Sequence, residues 1–559
     1  MEDRPGTIAR PRELVLVSLA GVALAILMTW PLATGLGHLG RTEATNADGQ
    51  FSIWNVAWVA RTLVVDPLHT FDANIFHPHK TTLAYSEANL LPGAIGIPVY
   101  WTSGNPWLTL NLVLLFAFSS AFVGTYLLLL HLTGDRRAAA AGAIVYTFCP
   151  YVMSHLSHIQ LLFTGGIPLS LLMLHRLADA ASVGRKLVWR GVALGLALAA
   201  QALSCAYYGI FAGLIVGYGT LVLASTRRLW KSAAYWTAIG TGAATSILLV
   251  LPFFIPFLRV QKESGFARSV RDTAQWAAGP RDYFMSATHA HAWLQAYMRS
   301  FGPWAGEVLF PGFFALGLGA AGVIVALRRG TRDRETALLY GSLAVLAFWS
   351  SFGPGAGLYR VLYQLPAFSF LRAPSRLGLV VVLCLVVFAA IALRRIFNAL
   401  PTWARNLAAA VACAAAVADL IIVPLKWWEA PDLPSPYAQL ARSPRGPLAE
   451  FPFYGDRIAF PLHAQYMLFS TSHWMPMVNG YSDVIPADFR EAAVVLDGFP
   501  SGDAFMALAR RRVRYVAVHW NMYAGREEEI RRRLEPYAAN LKVLAGDSRM
   551  TLYEVVKYP

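Results

Sequence analysis

Charge is scarce in this sequence. Only 14% of its 559 residues are charged, against about 25% in a soluble chain, while 56% are hydrophobic and the mean hydropathy is +0.46. That balance excludes an ordinary soluble domain and leaves a membrane protein. Cysteine is sparse too. Cys149, Cys205, Cys384 and Cys413 all fall inside apolar stretches without metal-type spacing, so they read as small buried hydrophobes rather than a disulfide or metal set. Soluble-enzyme motifs are missing: no glycine-rich phosphate loop between a strand and a helix, no H-E-x-x-H, no G-x-S-x-G, no C-x-x-C. Internal repeats are missing as well. What remains is chemistry at a membrane, or transport.

Long apolar runs are what the chain has in quantity. The first, 14–32, follows Arg4, Arg10 and Arg12; it is longer than a signal-peptide core and no A-x-A site closes it, so an uncleaved first transmembrane helix is expected. Ten further runs of spanning character follow at 107–131, 138–153, 159–178, 187–204, 206–224, 233–258, 307–328, 336–352, 375–393 and 404–424. The net charge of +15 suggests nucleic acid, but its distribution argues otherwise. With the N-terminus inside, every assigned inner loop is basic: Arg136/Arg137, Arg176 with Arg185/Lys186, Arg227/Arg228/Lys231, Arg328/Arg329/Arg332/Arg334 and Arg394/Arg395/Arg405. The outer connections 154–158 and 205 hold no Lys or Arg, as the positive-inside rule requires. The apolar stretch 89–103 contains Pro92, Gly93, Gly96 and Pro98 and is expected as a re-entrant or interfacial helix, since a full span there would invert every later loop.

The expected fold class is therefore a polytopic α-helical membrane protein of about eleven spans with a small C-terminal α/β domain on the outer face. The transmembrane domain covers 1–425, with large outer loops at 35–106 and 259–306, and the extracytoplasmic domain covers 426–559. Within the tail, 448–453 and 513–519 read as strands, 503–511 and 526–534 as helices, and 542–556 as a closing hairpin.

Polar groups gather at the outer side of this topology. Asp48 follows the first helix, and Gly49 behind it is expected to form a tight turn. Phe51, Trp54, Trp58 and Arg61 recur at helical spacing, which suits a helix lying in the interface. His77, His79 and Glu87 complete that loop's rim; the two histidines flank a proline, which admits either metal binding or a plain turn. Between the third and fourth spans stand His155, His158 and Gln160, and the i, i+3 spacing puts two imidazoles on one face for metal or phosphate. Hydrogen bonding of those imidazoles to backbone is the plainer alternative. Glu307 opens a span from outside, as a site residue or a helix cap. Arg372 and Arg376 enter the next-to-last span from outside, against the charge rule. A lipid phosphate is the natural partner for two guanidinium groups there, with an outer-loop carboxylate as the alternative.

These residues carry a resemblance. Asp48-Gly-Gln-Phe-Ser-Ile-Trp-Asn-Val-Ala-Trp, Phe71-Asp-Ala-Asn-Ile-Phe-His-Pro, Ser157-His-Ile-Gln, Phe370-Leu-Arg-Ala-Pro-Ser-Arg and Ser472-His-Trp-Met-Pro-Met-Val-Asn-Gly-Tyr-Ser are similar to a bacterial branch of the GT-C superfamily of integral-membrane glycosyltransferases. That branch is similar to polyprenyl-phosphate-sugar-dependent mannosyl- and arabinosyl-type transferases of the cell envelope. The resemblance implies inverting sugar transfer on the outer face of the inner (plasma) membrane, from a polyprenyl-phosphate carrier to a glycan, lipid or protein acceptor. It implies Asp48 as the base on the acceptor hydroxyl, or as a ligand with His158 of a divalent cation (Mg or Mn), and Arg372 and Arg376 as holders of the donor phosphate. Glu87, His155, His158, Gln160, Glu307, His77 and His79 are further site candidates. The sequence departs from the usual acidic pair of the first loop, having Asp48 with Glu43 five residues before it, which puts metal dependence in doubt. The rival readings are a lipid-linked-sugar transporter or flippase, which calls for broken helices and mid-membrane charge, and a non-catalytic envelope assembly protein.

Overall fold

A computed structural model describes residues 9–43, 46–183, 187–265, 269–304, 306–328, 331–365 and 371–559. Arg4, Arg185, Lys186 and Arg329 of the basic clusters, and Phe370 ahead of Arg372, lie outside them. The chain is mainly helical and divides into two compact units. The first comprises Met1–Ala33, Leu114–Phe253 and Ala267–Leu425; the second comprises Thr34–Val113, Phe254–Phe266 and Lys426–Pro559.

Seven helices among the described residues are long and apolar enough to cross a membrane: Pro11–Met28, Pro106–Thr133, Ile159–Ala181, Ala206–Thr226, Ala233–Ser264, Pro374–Ala399 and Thr402–Leu420. Val188–Ser204 and Phe313–Arg328 are apolar but shorter. The expected run 138–153 is divided into Arg136–Thr147 and Pro150–Ser154, because Pro150 has no N–H to continue the first helix and instead opens the second.

The first unit packs around Gly378–Ala399, which is apolar and almost wholly buried from Gly378 to Leu393. Helix Phe313–Arg328 lies so close to it that a Cβ on Gly322 would stand 1.9 Å from the Phe388 carbonyl oxygen. Ion pairs tie the helix ends near the basic clusters. Arg227 reaches Asp179 at 2.6 Å and Glu335 at 2.7 Å, Arg394 reaches Asp333 at 2.7 Å, and Arg136 meets Glu13 at 3.1 Å.

The second unit joins the first loop to the tail. Its mixed sheet has strands β1 (Leu448–Phe451), β2 (Tyr515–His519), β3 (Leu541–Gly546) and β4 (Met550–Val555) in the order β1-β2-β4-β3. β1 and β2 are parallel and the other pairs antiparallel. Helix Ala47–Val65 is a core helix rather than an interfacial one. Trp54 and Trp58 are buried, Trp58 stands 5.6 Å from Trp474 of the tail, and Arg61 covers the same indole. Asn74 receives the Trp54 indole N–H at 3.0 Å and donates to Ser470 and Met475, so loop and tail are sewn together by polar as well as aromatic contacts. The stretch 89–103 forms Leu90–Ser103, about 21 Å long at 1.5 Å per residue and so shorter than a bilayer core. It packs on Ala47–Val65 through Gly93, where a Cβ would meet Val59 at 2.4 Å.

Candidate functional site

Four of the residues singled out by sequence, His155, His158, Glu307 and Arg376, come together in the first unit. Pro150–Ser154 ends at His155, and the following turn carries His158, whose ring centre is 5.8 Å from that of His155. Gln160 follows in the short helix Ile159–Leu162. Glu307 arrives on a loop built around the buried Asp282. That carboxylate accepts from the Gly279 backbone N–H at 2.9 Å and the Trp304 indole at 2.8 Å, while the Asp282 carbonyl accepts from the Leu309 backbone N–H at 3.0 Å. Gly306 permits the arrangement, since a Cβ there would sit 2.2 Å from Asp282 Oδ1. Arg376 lies in the 3₁₀ turn Pro374–Leu377 that opens Gly378–Ala399.

Glu307 is the centre of the cluster. One carboxyl oxygen is 3.6 Å from His155 Nε2 and the other 3.4 Å from Ser375 Oγ, with the two side chains of the His155–Glu307 contact only 13% and 17% exposed. His155 Nδ1 is 2.7 Å from the Tyr151 carbonyl oxygen, which only accepts, so the ring proton sits on Nδ1 and Nε2 faces Glu307. Burial pushes the His155 pKa down to about 3, so the contact is between a neutral imidazole and a carboxyl, not an ion pair. Burial raises the Glu307 pKa, with Arg376 opposing the rise.

The arginines are held by aromatic faces. Arg372 lies 4.7 Å from the Trp276 ring centre and Arg376 4.2 Å from that of Tyr207; the Tyr207 hydroxyl accepts the Arg372 backbone N–H at 2.7 Å. Arg376 is 9% exposed, its Nε has no hydrogen-bond partner, and no carboxylate among the described residues forms an ion pair with it. A buried guanidinium with a spare N–H suits an oxyanion. Tyr151, Tyr207, Trp276, Ser375 and Asp282 were not singled out from the sequence. Tyr151, Tyr207 and Ser375 stand at the ends of apolar runs, and Trp276 and Asp282 lie within the loop 259–306, where no local pattern marks them.

The other site candidates belong to the second unit. Asp48 sits in the first turn of Ala47–Val65, behind the cap Asn46, whose side chain accepts the Gly49 N–H at 3.1 Å. Gly49 is helical and forms no turn. Its missing side chain makes room for the Arg41 carbonyl oxygen, which a Cβ would approach to 1.7 Å. Glu87 is half-buried, and its carbonyl accepts from Asn55 at 3.1 Å. His79 contacts Asp488 at 2.8 Å and the His77 backbone N–H donates to Met477, so both fasten the loop to the tail. Among the described residues no three His, Cys, Asp or Glu groups gather as metal ligands.

Fold and site together define a polytopic, mainly helical membrane protein with a buried His155–Glu307–Arg376 cluster. No protein-family model and no curated protein matches the chain, but solved structures do. The mycobacterial arabinofuranosyltransferase AftD superposes with a TM-score of 0.58 over 99% of this chain at 15% identity. This chain spans 40% of AftD's length. The oligosaccharyltransferase AglB of Archaeoglobus fulgidus, solved with an inhibitory peptide and a dolichol-phosphate, superposes with a TM-score of 0.52 at 14% identity, over 91% of this chain and 69% of AglB. A second AglB structure, with Zn and sulfate, gives the same score at 15% identity. The chain thus has the GT-C fold of integral-membrane glycosyltransferases.

Proposed function

We propose that this protein is a membrane glycosyltransferase that moves a sugar from a polyprenyl-phosphate carrier to an acceptor on the extracytoplasmic face. The observation that carries the reading is Arg376, a buried guanidinium with an unpaired Nε beside Arg372, His155 and Glu307 in a chain of GT-C fold. Arg372 and Arg376 hold the carrier phosphate and stabilise the charge that grows on it as the anomeric C–O bond breaks. Asp48 takes the proton from the acceptor hydroxyl, whose oxygen attacks the anomeric carbon from the opposite side, so the configuration inverts. The N-terminus is cytoplasmic, about eleven spans follow, and 426–559 folds outside. No step is routed through a metal.

Mass spectrometry of envelope glycans and polyprenyl-phosphate sugars, with the gene, without it, and with Asp48→Asn, tests this. Loss of the gene should remove one glycan and accumulate its lipid-linked donor. Asp48→Asn should reproduce that loss while the protein stays folded and inserted, with turnover down by roughly 10²–10⁴-fold. Full retention of product by the Asn variant would favour a non-catalytic assembly role.

A further inference from the structure

We propose that Glu307 engages the carrier phosphate as a neutral carboxylic acid, donating a hydrogen bond to it, so that carrier binding is coupled to uptake of a proton. The inference rests on the carrier-phosphate reading above and assigns the ionisation state of that site.

The geometry carries it. Glu307 is largely buried, and its oxygens face Ser375 and His155 Nε2. His155 cannot act as its counter-ion, because the Nδ1 proton is committed to the Tyr151 carbonyl and the ring is neutral. The charged and titratable groups around Glu307 are His155 and His158 from the turn after Pro150–Ser154, Arg376 from the turn at Pro374–Leu377, and Asp282 from its own loop. Tyr151 packs beyond His155. In the free protein Arg376 is the one strong cation in that set, and it opposes burial in setting the Glu307 ionisation. A bound phosphate takes over that guanidinium through the spare N–H on Nε. Glu307 then has a phosphate anion beside it and a burial penalty against its own charge, and both favour the protonated form. A protonated carboxyl supplies the O–H donor that a carboxylate lacks. It also leaves the site with its positive charge free to stabilise the departing phosphate.

The test uses the full chain in lipid nanodiscs, with undecaprenyl phosphate as probe, titrated calorimetrically near pH 6 and near pH 8.5 in buffers of different ionisation enthalpy. Wild type is expected to bind roughly tenfold more weakly at the higher pH and to take up roughly one proton per lipid there. Glu307→Gln keeps a donor at every pH, so it should lose the proton uptake that wild type shows beyond that of the probe's own phosphate, whose second ionisation lies at about pH 6. Equal pH dependence in wild type and Glu307→Gln, or proton release on binding, overturns the inference while leaving the carrier reading intact. Absence of lipid binding by folded wild type at either pH overturns both. Should the Gln variant not fold, proton uptake by wild type decides alone, with zero uptake as the refuting result.

Discussion

At Arg372 and Arg376 the same side chain type is placed in two environments. Arg372 is half-buried against Trp276, while Arg376 is buried over Tyr207 with an unpaired N–H. Removing the first leaves the local packing mostly intact, so Arg372→Ala should weaken undecaprenyl-phosphate binding about tenfold, or about 1.4 kcal/mol, with the thermal unfolding midpoint barely moved. An unchanged affinity would remove Arg372 from phosphate binding. Arg376→Lys tests the fork rather than the charge: an ammonium keeps the cation but loses the planar N–H array. Affinity should fall further than for Arg372→Ala, by roughly 10²-fold, or about 2.8 kcal/mol. Both arginines were legible in the sequence because charge at the outer end of an apolar run needs an explanation. Their aromatic supports were not, since Tyr207 and Trp276 lie far from them along the chain and a tyrosine at a span's edge is unremarkable there.

At the scale of elements, apolar length and turn residues carried most of the information. The tail's strands and its last two helices fall within a few residues of where alternation and helical spacing put them, because those segments are governed by local pattern. Helices Pro436–Arg442, His463–Phe469 and Ala487–Asp497 escaped notice; the first two are shorter than two full turns and are held by packing more than by their own propensity. Ala47–Val65 shows the opposite failure. Its aromatic stripe is real, but the partner is Trp474 and Tyr481 of the tail rather than lipid, and no local pattern distinguishes an indole that meets protein from one that meets a bilayer. Trp54→Ala should therefore cost about 3–5 kcal/mol of stability, as for a core aromatic, and should loosen the tail to limited proteolysis. A surface helix would lose far less. Gly322→Ala places a methyl against the Phe388 carbonyl and is expected to destabilise by about 1–3 kcal/mol through overpacking, read as a lower unfolding midpoint in detergent.

For the whole molecule, acid is the informative perturbant. Burial holds the His463 pKa down to about 4 and the His473 pKa down to about 3. Above the ordinary imidazole value of about 6.5 neither state binds these protons, and the stability is fully present. As pH falls below that value the unfolded chain takes up protons that the folded one refuses, so stability is lost progressively toward pH 4 and then 3. The unfolding midpoint of the second unit should drop between pH 7 and pH 5. His463→Gln should flatten that drop; an unaltered profile would place the acid sensitivity elsewhere.

The second unit is discontinuous in sequence, with Trp54 and Trp58 at one end of the chain and their cover, Trp474, near the other. During synthesis at roughly 5–20 residues per second, those two indoles emerge first and wait some 20–80 s for their ceiling to leave the ribosome. Through that interval a greasy half-domain has no mate of its own. A slow codon stretch late in the message would lengthen the exposure without altering a single residue of the finished chain.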